Sequence, residues 1–177
     1  VLMKYKTLLL ACGFIFLVWE QSYAGRDVLN VTKRQLPPVS DERLNNGTAD
    51  TSAWLMYGGN LENWRHSPLA IINRDNVKEL KAEWMFQTGI PGQLEAAPIV
   101  ADGILYLTAS YNNLYALDAV SGTVLWHYEH QMPSDLVICC GPTNRGVAIA
   151  DDKVYMATLD ARLIALHRAT GRVLWNV

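Results

Sequence analysis

Ala116-Leu117-Asp118-Ala119-Val120-Ser121-Gly122-Thr123-Val124-Leu125-Trp126 recurs 49 positions later as Ala165-Leu166-His167-Arg168-Ala169-Thr170-Gly171-Arg172-Val173-Leu174-Trp175. The register holds without gaps back through Tyr106 and Tyr155 to Ala101-Asp102 and Ala150-Asp151. A fixed period of this size marks stacked supersecondary units. Each unit reads as short antiparallel strands. Ile104 to Ala109, Leu114 to Leu117 and Val124 to Tyr128 are apolar or aromatic runs, parted by Asn112-Asn113 and Ser121-Gly122, residues able to turn the chain at positive φ. Val154 to Thr158, Leu163 to Leu166 and Val173 to Trp175 repeat the plan. Three strands per unit, with a fourth per period, describe a propeller blade. A solenoid is the alternative, and the lack of any helical period inside the repeat counts against it.

Working back towards the amino terminus, Leu80 to Phe86 resembles the last strand of a preceding blade, with Trp84 in the place later held by Trp126 and Trp175. Asn73 to Leu80 reads as one short helix, capped by Asn73 or Asp75. Residues 25–53 are polar, with Pro37-Pro38 and Asn46-Gly47, and read as an extended leader. Asn30-Val31-Thr32 and Asn46-Gly47-Thr48 fit the glycosylation tripeptide, a pattern common by chance.

Residues 1–24 read as a signal peptide. Lys4 and Lys6 give a basic start, Leu8 to Trp19 is apolar, and Ser22-Tyr23-Ala24 places small residues where a signal peptidase cuts. The apolar run is short of the about 20 residues that span a bilayer. A retained anchor, and lipidation at Cys12 after Leu10-Ala11, are the alternatives. Removal of this segment leaves 13 basic against 16 acidic side chains, and a mature chain with no membrane span. That mild acidity excludes a nucleic-acid-coating protein, and the 50% apolar content of the whole chain excludes a disordered tail. The length of 177 residues allows one domain, but the start on Val1 and the stop directly after Trp175 suggest a piece of something larger.

Cleavage leaves Cys139 and Cys140, adjacent in sequence, in a compartment where disulfides persist. Neighbouring cysteines can close only a ring containing one peptide bond, which crosslinks nothing distant and removes little chain entropy. A bond there would serve a local purpose, as a rigid, polarizable surface. Two buried free thiols acting as small hydrophobes are the other reading.

With these residues in place, the chain resembles the pyrroloquinoline quinone (PQQ) dependent alcohol dehydrogenases, the family that includes methanol dehydrogenase. Ala-Leu-Asp-Ala-x-Ser/Thr-Gly-x-x-Leu-Trp is similar to that family's tryptophan-docking repeat. Cys139-Cys140-Gly141-Pro142-Thr143-Asn144-Arg145-Gly146-Val147-Ala148 resembles its vicinal-disulfide segment. Trp54-Leu55-Met56-Tyr57-Gly58-Gly59, Arg65-His66-Ser67-Pro68 and Gln93-Leu94-Glu95-Ala96-Ala97-Pro98 resemble its amino-terminal segment.

The resemblance implies an all-β fold, with residues 54–177 as the first blades of an eight-bladed propeller that is incomplete in this chain. It implies PQQ on the propeller axis, packed against a disulfide between Cys139 and Cys140. Arg145 corresponds to the arginine at the cofactor's polar edge, where a planar cationic donor suits three carboxylates and an ortho-quinone. Glu95 corresponds to a glutamate reaching the cofactor from the first blade; buried among apolar residues it would need a partner. Gly146 gives the backbone close approach. A surface salt bridge for Arg145 and a solvated blade edge for Glu95 are the plain alternatives.

The implied reaction is periplasmic oxidation of a primary alcohol by hydride transfer to PQQ, with electrons leaving to a cytochrome c. A calcium or lanthanide ion polarises the quinone, and its ligands and the catalytic base are expected beyond this chain, which alone is expected to be inactive. A propeller scaffold or binding module carrying the same repeat is the alternative; it would have no use for Cys139, Cys140 or Arg145. His66, His127, His130 and His167 show no metal-ligand spacing and read as loop or strand-face residues. His167 stands where the first repeat has Asp118, which should weaken a turn in the second unit.

Overall fold

The computed structural model describes residues 35–177, which form one compact unit. The signal segment with Cys12, and the Asn30 tripeptide, lie outside the described residues. Within them the architecture is two four-stranded antiparallel sheets in sequence order. The first holds β1 (Ile99–Ala101), β2 (Ile104–Ala109), β3 (Asn113–Asp118) and β4 (Val124–Glu129). The second holds β5 (Ala148–Ala150), β6 (Lys153–Ala157), β7 (Leu163–His167) and β8 (Val173–Asn176). The chain is thus all-β at its core, and the period of the sequence is the period of the blades. Even the irregularities repeat: the register slips between Ala116 and Leu117 in one blade and between Ala165 and Leu166 in the next.

Turn chemistry explains where the strands stop. Gly122 and Gly171 sit at φ 71° and 69°, so each closes a β3–β4 or β7–β8 connection in the left-handed region. In the first of these turns Asp118 Oδ1 accepts from the Val120 and Ser121 amides and from Ser121 Oγ. In the second, His167 offers one side-chain contact, Nδ1 with Thr170 Oγ1 at 3.2 Å. The backbone bond is kept in both, Gly122 N to Asp118 O at 2.8 Å and Gly171 N to His167 O at 2.9 Å. The histidine therefore thins the side-chain support of the turn while leaving the turn intact.

The core lies between the sheets. Strand pairing puts Tyr106, Ala116 and Trp126 on one face of the first blade, and all three are buried. On the second blade Val154, Met156, Ile164 and Leu166 are fully buried. The opposite face of the first blade, with Leu105, Tyr115 and Leu117, packs against Trp84 and Phe86. Residues 80–86 form no ladder, so the expected strand is absent as a strand, yet Trp84 occupies the expected place. Its Nε1 donates to Ala119 O at 3.3 Å, and Trp126 Nε1 donates to Arg168 O, the equivalent carbonyl one blade on, at 3.0 Å.

Two further expectations change on inspection. The helix over 73–80 reduces to a single 3₁₀ turn, Val77–Glu79, because Asn73 and Asn76 side chains bond local amides instead: Asn76 Oδ1 accepts from Asn73 N and Asn73 Oδ1 from Asp75 N. That segment is also exposed and has no buried face to hold a longer helix. The polar stretch ahead of Trp54 is fastened, not simply extended. α1 (Asp41–Asn45) is capped by Ser40, Val39 bridges Asp151 of the second blade, and Trp54 bridges Val100 of the first.

Candidate functional site

Two segments outside the ladders meet in space: Gln93–Ala97, which enters β1, and Cys139–Gly146, which enters β5. Ala97 N donates to Arg145 O at 3.4 Å. Gly146 at φ 125° lies so near that a Cβ there would stand 3.1 Å from Ala97 O. Gly92, at φ 127°, has the same function further along; a Cβ would come within 2.4 Å of Ser110 Oγ, which instead donates to Gln93 O at 3.0 Å. Tyr111 N reaches Pro142 O at 2.8 Å. Glycine is required at both positions by conformation and by space.

All four residues singled out in the sequence come together here. Arg145 Nε is 3.3 Å from Glu95 Oε2, and both side chains are open to solvent, at 81% and 40%. Glu95 is therefore partnered, though at a surface and not in an apolar interior. Cys139 and Cys140 are exposed, their Sγ atoms in contact at 2.7 Å as free thiols. The contact with Cys139 pushes the Cys140 thiol up, and the Arg145 charge acts in the opposite direction. The reading of two buried thiols is overturned: the sulfurs face outward because the loop is held by its other residues.

Of those other residues the sequence singles out Asn144 alone, as part of the cysteine-pair segment. Asn144 is buried; its Nδ2 donates to Asn112 Oδ1 and Ala157 O, its Oδ1 accepts from Gly146 N, and its carbonyl accepts from Thr108 Oγ1. Asn112, at φ 55°, reads in the sequence only as a turn residue. His130, read as a loop residue, is nearly buried and pairs through Nε2 with Asp160 at 2.9 Å. Burial would raise the Asp160 carboxyl, but bonds from Thr158 and His130 outweigh it and hold it low. His127 stacks on Tyr115 at 4.1 Å, and burial pushes it down against the opposing pull of Glu129. Among the described residues there is no group of three or more His, Cys, Asp or Glu able to hold a metal ion, and no helix long and apolar enough to cross a membrane.

The donor set suits a planar polyanion. An exposed guanidinium and two outward sulfurs share a loop whose backbone is pinned by Asn144 and by the close approach of Gly146 to Ala97. The guanidinium, paired with Glu95 through Nε, keeps its other N–H donors for an acceptor group, and the sulfur surface suits a flat ring.

Residues 54–176 match the family model described as PQQ, glucose/ethanol/alcohol dehydrogenase, beta-propeller domain. A quinoprotein ethanol dehydrogenase of Pseudomonas putida is 43% identical over 141 residues, which is 78% of this chain and 23% of that protein. Among solved structures, a quinohemoprotein alcohol dehydrogenase from Pseudomonas putida HK5 superposes with a TM-score of 0.76 at 35% identity, over 81% of this chain and 22% of its own. A europium-containing methanol dehydrogenase gives 0.72 at 35% identity, over 77% and 25%. The chain spans about a quarter of the length of these relatives.

Proposed function

Because this chain belongs to the PQQ-dependent glucose/ethanol/alcohol dehydrogenase propeller family, we propose that it supplies one side of a PQQ site in an exported dehydrogenase acting on a primary alcohol. The observation that carries the reading is the convergence of Glu95, Arg145, Cys139 and Cys140 on one exposed surface. PQQ, when bound, would supply the two-electron acceptor for the hydride that leaves the alcohol carbon. The residues of this chain bind and orient. Arg145 addresses the carboxylates and quinone oxygens, and Glu95 fixes the guanidinium from its Nε side. Cys139 and Cys140, free thiols in contact at 2.7 Å here, would on oxidation to a disulfide offer a flat sulfur surface to the ring.

The reading extends to export through the signal at 1–24 into the periplasm, and to a cytochrome c as electron acceptor. It also includes a calcium or lanthanide ion, to which no described residue is assigned. A scaffold with the same repeat would leave the four site residues without a task.

Titration of the chain with PQQ, followed by tryptophan fluorescence, tests the proposal. The wild type is expected to bind, and Arg145→Ala to bind at least tenfold more weakly, the about 1.5–3 kcal/mol of a charge-assisted hydrogen bond being worth that factor or more. Equal affinities, or no binding by the wild type, would count against it. Reduction of the exported chain should add two daltons if Cys139 and Cys140 are joined.

A further inference from the structure

Asn112 lies where four segments meet. Its Oδ1 accepts from Asn144 Nδ2 at 3.1 Å and from Leu159 N at 3.2 Å. Its Nδ2 contacts Met132 Sδ at 3.1 Å, and its carbonyl accepts from His130 N at 3.3 Å. Asn112 is fully buried and Asn144 nearly so. Two amides buried side by side are costly unless every polar atom is satisfied, and here each Oδ1 and Nδ2 has a partner. Asn144 then passes the order outward, since its Oδ1 receives the amide of Gly146, the residue directly after Arg145, at 3.2 Å.

The geometry points to Asn112 and Asn144 as a positioning pair that sets the backbone of the Cys139–Gly146 loop and so the direction in which Arg145 and the two sulfurs face; this rests on the PQQ reading above. Neither residue needs to touch the cofactor. Their effect runs through the 145–146 peptide, clamped on one side by Asn144 Oδ1 and on the other by the bond from Ala97 N to Arg145 O. The left-handed backbone at Asn112, φ 55°, is part of the design, because it turns the amide into the blade interior instead of along the strand. Asparagine is among the few residues that both adopt this conformation readily and carry an acceptor there.

Two substitutions separate positioning from mere stability. Asn112→Gly keeps the backbone conformation and deletes the amide. Asn144→Ala removes, at the other end of the pair, the acceptor of the Gly146 amide. Two readouts apply to each: PQQ affinity by fluorescence, and amide hydrogen exchange at Gly146 compared with Ala116 in the centre of β3. For Asn112→Gly we expect PQQ affinity to fall at least tenfold and Gly146 exchange to quicken at least tenfold, with Ala116 little changed; Asn144→Ala should do the same. Unchanged exchange at Gly146 or equal acceleration at Ala116 would overturn the assignment. Should Asn112→Gly not fold, Asn144→Ala is read by the same two measurements. If the wild type itself does not bind PQQ, the cofactor reading fails, while Gly146 exchange still decides whether the pair orders the loop.

Discussion

At position 168 the second blade carries an arginine where the first has Ala119, and this one departure from the repeat ties three parts of the chain together. Arg168 is 1% exposed; its Nη2 donates to Asp102 Oδ2 at 2.7 Å and to the carbonyl of Pro37. Its Nε and Nη1 have no hydrogen-bond partner among the described residues, so Asp102 carries most of the compensation. Asp102 is shared with Arg43, which also reaches Asp50 at 2.9 Å. Burial alone would raise the Asp102 carboxyl, but bonds from Arg43 and Arg168 and their charges hold it below the usual range. Ser52 and Arg43 hold Asp50 low against the effect of burial. A carboxyl depressed in the folded state contributes stability that is complete above its unfolded value, about 3.9, and is lost as pH falls through the folded value. Thermal melting should therefore weaken steeply below about pH 4. Asp102→Asn should cost about 3 kcal/mol at neutral pH by leaving Arg168 uncompensated. The same substitution should flatten the acid limb of the melting profile. Parallel acid limbs for the two proteins would contradict this.

Among the elements, the tryptophan of each blade is seated by the glycine of the next. A Cβ at Gly171 would stand 2.7 Å from the Trp126 ring, and one at Gly122 would stand 2.5 Å from Trp84. Trp126 leans on Tyr106 with ring centres 6.0 Å apart, and Trp175 on Tyr155 at 5.8 Å, so the two blades are built alike. Only their surroundings differ: Trp126 is 9% exposed and Trp175 38%. Gly171→Ala, which adds both left-handed strain and a clash, should destabilise by about 2–4 kcal/mol in denaturant unfolding. Trp126→Phe should cost clearly more than Trp175→Phe, which should stay within about 0.5 kcal/mol as a surface change. Equal costs would mean that the inter-blade contact is not what holds Trp126.

This is the level at which the sequence is most legible. The 49-residue offset places the central and outer strands of both blades to within a residue or so, because β-strands need only short apolar runs and turn residues, both local properties. The strand proposed over Leu80 to Phe86 is not legible in the same way, since a strand exists only where a partner lies beside it, and local letters do not show partners. Glu95, Arg145 and the cysteine pair are legible because their types are rare in that setting. Asn144 is legible as part of the cysteine-pair segment but its burial is not, nor is that of Asn112, because an asparagine in a turn looks the same whether it faces water or a buried network.

Across the molecule, the site and the inter-blade core are two consequences of one arrangement. The loop entering β5 can present Cys139, Cys140 and Arg145 only because Thr108 on β2 and Ala157 on β6 hold Asn144 between the blades. The apolar surface left uncovered also follows the blade plan. Trp64, Ile71, Ile72, Leu80 and Met85 are exposed on the amino-terminal side, and Leu163, Val173 and Trp175 on the second blade. Exposed apolar residues favour association where they adjoin one another.

On the reading proposed above, Gln93–Ala97 and Cys139–Gly146 together form a PQQ-binding surface. Amide chemical shifts recorded with and without PQQ test it most directly. The account predicts changes concentrated at Gln93–Ala97 and Cys139–Gly146, with β3 and β7 nearly still. Changes spread evenly over the exposed apolar residues, or none at all, would contradict it.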